Sequence, residues 1–399
     1  MKGRKLKLLA ILVIAIGMMV PISVQAAAKT YTVASTSKPY KGQMTNFSTY
    51  NKYTRQYYLL RSYLERLEKI GGGMLVLKKG TYTIPKTLYV PSNVTVRLKN
   101  GVKIVKGTKT GTKKIGPSKT LFQLVKPSIS LKKGVRGKYD GEKNITFIGE
   151  GKAIVDLNYE IDTIAIVAGH NRNIKIQNIQ FQNLKQGHFI EIDATDKALI
   201  ANNKFTYSKP SANRNKEAIN LDTPDKLTNG WNHPWSKYDK TPNRNITIEN
   251  NKFYNLDRAI GTHKYSQGKY HDKIIVRGNY IEKMRQDAIR VMNWSNAVIE
   301  RNTIKNVSNR AGTYRGIFAS GVINPAIRNN FIEDVARPIG IMPWKNIGPG
   351  SDYAVTSNSI SQSNIEELKT NRIKNTTENF IRINLKYNVF DQDTLKIPL

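Results

Sequence analysis

The stretch ITIENNKF (Ile246–Phe253) alternates apolar and polar residues, bends at an asparagine pair and resumes with a phenylalanine. A shorter form of this phrase, an asparagine with Phe or Ile two residues later, recurs along the chain. From Asn251 to Asn358 the steps are 28, 23, 28 and 28 residues. Repeats of about 20 to 50 residues indicate a solenoid or an array. The copies are NKF at 203–205 and 251–253, NYI at 279–281, NTI at 302–304, NFI at 330–332, NSI at 358–360 and NVF at 388–390.

The repeat units have the pattern of strands rather than helices. KIIVRGN (Lys273–Asn279) and AVIERN (Ala297–Asn302) alternate apolar and polar residues and are rich in β-branched side chains. Asparagine tolerates the left-handed backbone of a tight bend, and stacked amides can hydrogen-bond from one turn to the next. The repeats therefore predict a parallel β-helix. A β-propeller is the alternative, although its repeats run to about 40 to 45 residues.

One early segment has helical spacing instead. KYTRQYYLLRSYLERLEKI (Lys52–Ile70) places Leu60, Leu64, Leu67 and Ile70 on one face, and three glycines follow it. We expect a short amphipathic helix that covers the open end of the solenoid, where strand edges and the core would otherwise be exposed.

The next stretch, GGGMLVLKKGTYTIPKTLYVPSNVTVRLKNGVKI (Gly71–Ile104), resembles the opening turns of the pectate-lyase-like superfamily. The shared phrase is a glycine-rich turn, an apolar strand, GTY, a second strand and PSNVT, and the resemblance extends over most of 52–390. It implies an all-β protein, a single-stranded right-handed parallel β-helix (a solenoid) with a short N-terminal capping helix. That superfamily includes polysaccharide lyases, polygalacturonase-like hydrolases, epimerases and phage tailspikes, so it specifies the fold more narrowly than the function.

The first 26 residues have the features of a secretory signal. Four basic residues precede the apolar run LLAILVIAIGMMV (Leu8–Val20), and VQA (Val24–Ala26) is a small-residue cleavage site. The apolar run is shorter than the roughly 20 residues that span a bilayer, so an uncleaved anchor is the less favoured alternative. We expect a secreted or cell-wall-associated bacterial protein, a monomer with no stable membrane anchor after cleavage. The expected parts are a signal peptide at 1–26, an N-terminal extension at 27–51 and the β-helix at 52–399.

The chain is strongly basic, with 64 Lys and Arg against 29 Asp and Glu and a formal charge of +35. Such a charge favours polyanionic partners, and we expect an acidic polysaccharide substrate and contact with the anionic cell wall. Eleven basic residues and no acid fall in 103–138, which predicts an exposed basic insertion near 103–140. Few aromatic residues lie among them, so nucleic-acid binding is not expected. The chain has no cysteine, which excludes a thiol nucleophile and a cysteine-bound zinc.

Six strands can be aligned on a shared isoleucine, because equal positions of a β-helix stack in columns about 4.8 Å apart. Strand alternation points the third and fifth positions inward and the fourth and sixth outward. The fourth column then begins Glu191, Asn220, Gly261, Arg290, and the sixth begins Asp193, Asp222, His263. The aligned runs are HFIEID (188–193), EAINLD (217–222), RAIGTH (258–263), DAIRVM (287–292), RGIFAS (315–320) and RPIGIM (337–342).

Acidic residues, a histidine and an arginine on one outward face of so basic a chain indicate a site. Two loops, near 206–216 and 223–243, flank the Glu217–Asp222 strand and could border a groove. Tryptophans in the second loop offer flat apolar surfaces to sugar rings. We predict catalytic roles for Glu191, Asp193, Asp222, His263 and Arg290. We predict substrate contacts for His188, Glu217, Asn220, Trp231, Trp235, Arg258, Lys264, Asp287, Asn293 and Arg315.

Glycoside hydrolysis needs two carboxyl groups, and the diagonal between Glu191 and Asp222 is on the order of 8 Å in backbone spacing. That separation falls within the ~6.5–9.5 Å of inverting enzymes. Histidine at 263 could relay a proton, and Arg290 could hold a substrate carboxylate.

The order of motifs also resembles the polygalacturonase-type hydrolases. Their series is asparagine-Thr-Asp, Asp-Asp, Gly-His-Gly and Arg-Ile-Lys. The matching stretches here are EID (191–193), NLD (220–222), GTH (261–263) and RVM (290–292). The resemblance implies roles for Asp193, Asp222, His263 and Arg290. The second acid of Asp-Asp and the final lysine are absent here, which leaves the reaction open.

Two alternatives use the same face. A polysaccharide lyase would neutralise a uronate with Ca²⁺ bound by Glu191, Asp193 and Asp222. Arg290 or Lys264 would then remove the proton. The residues specify no cofactor, and Ca²⁺ is expected only for the lyase. The second alternative is a non-catalytic module that binds glycans or the cell wall.

Overall fold

The computed structural model describes residues 29–210, 216–307, 314–345, 355–356, 358–384 and 394–399. The predicted signal peptide at 1–26, the NVF copy at 388–390 and most of the second half of the 206–216 loop lie outside the described residues.

Two helices lie near the ends of the described chain. Helix α1 (Arg55–Lys69) buries Leu60, Leu64 and Leu67 against the first strands, and it ends just before Gly71, whose positive φ of 82° a glycine adopts without strain. The predicted capping helix is confirmed. Helix α2 (Gln362–Leu368) begins at Ser361, whose hydroxyl accepts a hydrogen bond from the Asn364 amide. Short 3-10 turns occur at Tyr40–Gly42 and Pro127–Ile129.

Short strands make up most of the rest. The first are β1 (Thr30–Val33), β2 (Gly73–Leu77), β3 (Gly80–Ile84), β4 (Leu88–Tyr89), β5 (Val94–Leu98), β6 (Val102–Lys106), β7 (Thr120–Gln123), β8 (Lys143–Gly149), β9 (Ile154–Asp156), β10 (Ile161–Gly169) and β11 (Arg172–Gln177). The middle ones are β12 (Gln180–Asp193), β13 (Asp196–Ala201), β14 (Lys204–Ser208), β15 (Glu217–Asp222), β16 (Arg244–Glu249), β17 (Lys252–Leu256), β18 (Arg258–Gly261), β19 (His271–Arg277), β20 (Tyr280–Met284) and β21 (Ile289–Ser295). The last are β22 (Val298–Glu300), β23 (Thr303–Lys305), β24 (Arg315–Ile323), β25 (Ala326–Arg328), β26 (Phe331–Val335), β27 (Arg337–Ile341), β28 (Trp344–Lys345), β29 (Val355–Thr356), β30 (Arg372–Thr376), β31 (Phe380–Asn384) and β32 (Thr394–Pro398).

Parallel pairing arranges these strands in three ladders that run the length of the molecule. The first ladder follows β2, β5, β8, β11, β13, β16, β19, β22 and β25. The second follows β3, β6, β9, the start of β12, β14, β17, β20, β23, β26 and β30. The third follows β4, β7, β10, the end of β12, β15, β18, β21, β24, β27 and β31. Three ladders of successive turns form a parallel β-helix, as predicted.

The core lies between the three ladders, and the alignment on isoleucine identifies its members. The third-position side chains are at most 1% exposed: Ile190, Ile219, Ile260, Ile289, Ile317 and Ile339. The fifth-position side chains are equally buried: Ile192, Leu221, Thr262, Val291, Ala319 and Ile341. Burial of an aliphatic side chain of this size contributes about 1.5–3 kcal/mol, so each turn stabilises the stack.

A ladder of buried asparagines joins the turns at the bend between the first and second ladders. The Asn251 backbone amide and side-chain amide both donate to Oδ1 of Asn279, at 3.0 and 3.1 Å, and its Nδ2 also donates to the Ile200 carbonyl. The left-handed residue is the preceding one, such as Asn250 with φ of 54°. The predicted rung-to-rung bonding is confirmed, but the ladder asparagines themselves do not supply the left-handed backbone. The same pattern links Asn203, Asn251, Asn279, Asn302, Asn330 and Asn371.

The last member of this ladder corrects the predicted repeat. Asn330 bonds to Asn371, 41 residues later, and not to Asn358 of the NSI copy. Asn358 accepts a hydrogen bond from the Val322 amide instead, because α2 and its flanking turns are inserted before the next rung. The sequence did not reveal this insertion, because Asn358 follows Asn330 at the same 28-residue step that separates Asn302 from Asn330.

The basic segment is only partly an insertion. Strands β6 and β7 belong to the second and third ladders, and Lys106 is 2% exposed, with Nζ donating to the Pro85 and Gly107 carbonyls. The prediction of one exposed loop over 103–140 is therefore wrong for both strands. The connections at 107–119 and 124–142 carry the remaining basic residues of the segment.

Candidate active site

The third ladder sets the candidate site residues in register. Glu191 lies opposite Asn220, Asp193 opposite Asp222, and Gly261 opposite Arg290, which confirms the alignment made from the sequence. Backbone pairing of β18 ends at Gly261, so His263 is held differently. Its amide donates to Oδ1 of Asp222 at 2.8 Å and to Oδ1 of Asn220 at 3.1 Å.

A cavity of about 630 Å³ opens on the outer face of this ladder. It brings together six of the predicted residues: His188, Glu191, Asn220, Asp222, His263 and Lys264. Its remaining walls include Thr120 and Gln123 of β7, Lys119, Asp162, Lys216, Asn232 and His233. The outward columns are not open to bulk water, because Glu191 is 4% and Asp222 1% exposed. The cavity is therefore a confined site in which electrostatic interactions are strong.

Glu191 and Asp222 are the two buried acids on the wall of this cavity, whereas the third acid there, Asp162, is only half-buried. Burial and the neighbouring Asp222 raise the pKa of Glu191 from its ordinary 4.5 to about 8. Burial also raises the pKa of Asp222, to about 7, although hydrogen bonds from the Lys264 and His263 amides act in the opposite direction. The Lys264 and His263 amides both donate to Oδ1 of Asp222, at 2.8 Å. Because they bond to the ionised form, Asp222 loses its proton more readily than Glu191.

Asp193 does not reach the cavity. It is fully buried, and neither carboxyl oxygen has a hydrogen-bond partner among the described residues. Burial, with Glu191 and Asp222 nearby, raises the pKa of Asp193 well above its ordinary value. Asp193 does not line the cavity that holds Glu191 and Asp222, so its position does not support the predicted catalytic role.

His263 is a neutral side chain held between a cation and an anion. Its Nε2 lies 3.3 Å from Nζ of Lys216, and its Nδ1 lies 3.7 Å from Oε2 of Glu217. Burial and the charge of Lys216 hold the pKa of His263 well below 6.5. The Lys216 ammonium can only donate, so Nε2 is the acceptor and the proton sits on Nδ1, facing Glu217.

Glu217 does not line the cavity, and its carboxylate has a structural role. Its carboxylate is fully buried and pairs with Nη1 of Arg258 at 3.1 Å. Burial alone would raise the pKa of Glu217, but Arg258 and His188 lower it below the ordinary value. Its backbone carbonyl lies 2.6 Å from Nδ1 of His188, and burial lowers the pKa of His188 to about 4. Glu217 therefore does not make the predicted substrate contact. It positions His188 and His263 instead.

The aromatic loop at 223–243 corrects another prediction. Trp231 and Trp235 are 2% and 1% exposed and pack on Val125 and Val167. Gly169 makes this docking possible, because a Cβ atom there would lie 2.3 Å from the Trp231 ring. Neither indole can serve as a stacking surface for a sugar. Both rings are buried against the β-helix, because removing their apolar surface from water is favourable.

The loop nonetheless reaches the cavity through His233, whose ring stacks on Trp235 with centroids 6.0 Å apart. Burial lowers the pKa of His233 to about 4. Indole Nε1 of Trp235 donates to Oε1 of Gln123 at 3.0 Å, which fixes a second wall residue.

Four predicted residues line a separate cavity of about 250 Å³ further along the same face: Arg258, Asp287, Arg290 and Arg315. Asn293 lines neither of these cavities. It is buried and donates from Nδ2 to the Ser266 carbonyl at 3.2 Å. Ten of the fifteen predicted residues are thus divided between two cavities, and the other five line neither.

The calcium alternative requires Glu191, Asp193 and Asp222 to converge on one ion. Within the ranges that the structure describes, no group of three or more His, Asp or Glu side chains is arranged to hold a metal ion. Asp193 does not line the cavity with Glu191 and Asp222, so the three carboxyls do not form a donor set for calcium.

Several wall residues were absent from the sequence-based prediction. Lys119, Gln123 and Asp162 belong to two earlier turns, where Gln123 pairs with Val167 and Val167 with Glu191. Extending the alignment back to TLFQ (120–123) would have found Gln123. Lys216 immediately precedes an aligned strand and could have been found there.

Comparisons with known proteins agree with this architecture. A family model described as a right handed beta helix region matches residues 241–390. The chain is a right-handed parallel β-helix. The fold implied by its resemblance to the pectate-lyase-like superfamily is therefore confirmed.

A curated relative and two solved structures are similar to this β-helix. Plasmin and fibronectin-binding protein A of Streptococcus pneumoniae is 23% identical over 272 residues, which are 62% of this chain and 36% of that protein. The chain thus spans about a third of the length of that relative. Two structures of PfbA, a surface adhesin of S. pneumoniae, match at TM-scores of 0.52 and 0.51 with 16% and 15% identity. The matches cover 81% of this chain in both cases and 85% and 88% of the respective solved chains.

A search of the described helices finds none that is both long and apolar enough to cross a bilayer.

Proposed function

We propose that this protein is an exported or surface-associated enzyme that hydrolyses glycosidic bonds of an acidic polysaccharide, with Glu191 and Asp222 as its acid and base. The observation that carries the proposal is the pair itself: two buried carboxyl groups with raised pKa values on the wall of one cavity. Carboxyls in this condition can exchange protons near neutral pH, which general acid–base catalysis requires.

The two acids take different roles because their surroundings differ. Glu191 has the higher pKa and would give its proton to the leaving glycosidic oxygen. Asp222, with Oδ1 held by two backbone amides, would take a proton from the attacking water through Oδ2. A Cβ atom at Gly230 would lie 3.4 Å from Oδ2, so the glycine keeps space beside that oxygen. Water attack on the face opposite the leaving group inverts the anomeric centre, as the diagonal spacing of about 8 Å allows.

The surroundings of the cavity favour an acidic substrate. Lys119, Lys216 and Lys264 line it, and the chain carries a formal charge of +35. Neutral His263 would orient a sugar hydroxyl or water rather than exchange a proton at neutral pH, since its pKa lies well below 6.5. Such a polysaccharide could be free or part of an anionic cell wall.

A second candidate function is adhesion without cleavage. Two solved structures with TM-scores above 0.5 are of a surface adhesin, and the curated relative is named for binding plasmin and fibronectin. In that case the same cavity would hold a glycan or a protein segment, and its carboxyls would serve only as hydrogen-bond partners.

The test is incubation of the purified full-length protein with a panel of acidic polysaccharides, with and without EDTA, followed by mass spectrometry of the products. Hydrolysis adds one water per cleavage, whereas a lyase leaves an unsaturated sugar that absorbs ultraviolet light. Glu191→Gln and Asp222→Asn should each lower the rate about 10²–10⁴-fold. Glu366→Gln, an exposed acid on α2, is the matched control and should cleave normally.

Three results would contradict the hydrolase: no product from any substrate, unsaturated products, or unchanged cleavage by both cavity variants. Tight glycan or fibronectin binding without a product, unaffected by Asp222→Asn, would favour the adhesin.

A further inference from the structure

The second cavity on the outer face of the third ladder, of about 250 Å³, is dominated by arginines. Arg258, Arg290, Arg315 and Arg337 come from four successive turns, with Asp287 and Phe318 beside them. Arg315 lies opposite Arg337 and Arg290 opposite Phe318 in the strand register. Stacking of turns thus concentrates four guanidinium groups that are far apart in sequence.

Three of these arginines have a carboxylate partner. Arg258 pairs with Glu217 at 3.1 Å and Arg315 with Asp287 at 3.6 Å. Arg337 pairs with Glu378 at 2.8 Å. Each of these positive charges is therefore offset by an acid of the same face.

Arg290 is the exception. It is 9% exposed and forms no ion pair with a carboxylate of the described residues, although Glu217 and Asp287 lie near enough to act on its charge. Burial, together with the charge of Arg258, lowers the pKa of Arg290 to about 10, which leaves it cationic at neutral pH. A buried charge without a partner is costly, and such a group is usually neutralised by something that binds.

The shape of the site selects the kind of anion. A guanidinium presents parallel N–H donors that match the oxygens of a carboxylate or a sulfate. Phe318 gives the cavity an apolar wall, with the Arg315 guanidinium 4.9 Å from its ring. The volume suits one substituted sugar ring rather than a length of polysaccharide.

The two cavities lie along one face. Glu191 and Arg290 are three turns apart in the register, about 14 Å on the ~4.8 Å spacing of parallel strands. This distance exceeds the reach of one sugar ring.

We propose that the arginine cavity binds an anionic substituent, a carboxylate or a sulfate group, on a sugar of the bound chain other than the sugars at the cleaved bond. The inference rests on the proposed function. It adds that the substrate carries acidic groups at more than one position.

Binding separates this inference from catalysis. Calorimetry would use full-length Glu191→Gln protein, whose cleavage should be about 10²–10⁴-fold slower, with oligosaccharides of equal length that are neutral, carboxylated or sulfated. We expect Arg290→Gln in this background to weaken binding of at least one charged series by tenfold or more and leave the neutral series unchanged. Arg277→Gln removes the same charge from an exposed pair with Glu249 and is the matched control. The series that loses affinity identifies the substituent.

Folding of the variant provides a second readout. Without ligand, Arg290→Gln should melt no lower than the parent, because it removes an unpaired buried charge. Sulfate, compared with chloride at equal ionic strength, should raise the melting temperature of the parent more than that of Arg290→Gln. If Arg290→Gln does not fold, Arg337→Gln substitutes for it, since Glu378 retains Arg382 at 3.4 Å.

Equal losses in Arg290→Gln and Arg277→Gln would show that only net charge matters and would overturn the proposal. So would equal affinity of the parent for neutral and charged oligosaccharides. If Arg290→Gln loses binding of charged ligands but the wild type cleaves no polysaccharide, the arginine-cavity proposal stands and the hydrolase proposal fails. If the wild type cleaves and Arg290→Gln changes neither binding nor cleavage, the hydrolase proposal stands and the arginine-cavity proposal fails.

Discussion

At the scale of single residues, the pKa values of the site are raised by the burial of acids that have few positively charged partners. Asp193, Glu191 and Asp222 lie on adjacent strands, so each ionisation disfavours the next. Oδ1 of Asp222 accepts its hydrogen bonds from two backbone amides that follow Gly261. A backbone donor keeps its position whatever the side chain at 263, so the difference between the two cavity acids is built into the turn.

Raised pKa values make the free energy of unfolding depend on pH. The pKa of Glu191 lies at about 8 in the folded protein and near 4.5 in the unfolded chain, so the folded state holds the proton more tightly. The stabilisation from that proton is complete below about pH 4.5 and is lost as the pH rises to about 8.

We therefore expect the unfolding free energy of the wild type, relative to Glu191→Gln, to fall by up to about 1.4 kcal/mol per pH unit across this window. Chemical denaturation at several pH values measures it, with Glu366→Gln as the exposed control, whose difference from wild type should stay flat above about pH 5. A difference for Glu191→Gln that is independent of pH would mean that Glu191 has an ordinary pKa.

At the scale of elements, the asparagine ladder ties each turn to the next. Asn279 accepts two hydrogen bonds from Asn251 through Oδ1 and donates to the Ile248 carbonyl and to Asn302. All of these groups are buried, so none can turn to water instead.

Asn279→Ala should lower the unfolding free energy by about 2–4 kcal/mol, because several buried polar groups lose their partners together. Asn379→Ala makes the same change at an exposed residue and should cost less than about 0.5 kcal/mol. Urea denaturation of both variants gives the comparison, and equal losses would contradict the role of the ladder.

The loop at 223–243 is an element whose position depends on one glycine. Gly169→Ala would place a methyl group 2.3 Å from the Trp231 ring and 2.9 Å from that of Trp235. We expect the loop to detach, which would shift tryptophan fluorescence to longer wavelength and remove His233 from the cavity. The control is Gly116→Ala, at a residue with no neighbouring atom within 4 Å. An unshifted spectrum in Gly169→Ala would show that the loop does not depend on this contact.

At the scale of the whole molecule, the solenoid could be predicted because similar residues recur at the same position of successive turns. Ile260 and Ile289 fix the inward face, and their spacing along the chain brings Gly261 beside Arg290. The same alignment placed Glu191 and Asp222 on adjacent turns of the outward face. These features follow from local pattern and strand geometry alone.

What could not be predicted depends on contacts between distant parts of the chain. Trp231 was expected to face a sugar, but its docking over Gly169 is set by the shape of a turn some 60 residues earlier, about two turns away in the stack. Asp193 is fully buried on the strand that pairs with Gly169, and the arginines of later turns line a second cavity. The sequence pattern marks outward positions but does not show which of them a loop will cover.

The central claim is that Glu191 and Asp222 act together as acid and base in one cavity. The most direct measurement is kcat/KM for polysaccharide cleavage as a function of pH. The account predicts a bell-shaped profile, with an acid limb near 7 from Asp222 and an alkaline limb near 8 from Glu191, and loss of the alkaline limb in Glu191→Gln. A maximum below about pH 5, where both carboxyls are protonated, or an alkaline limb that persists in Glu191→Gln, would contradict it.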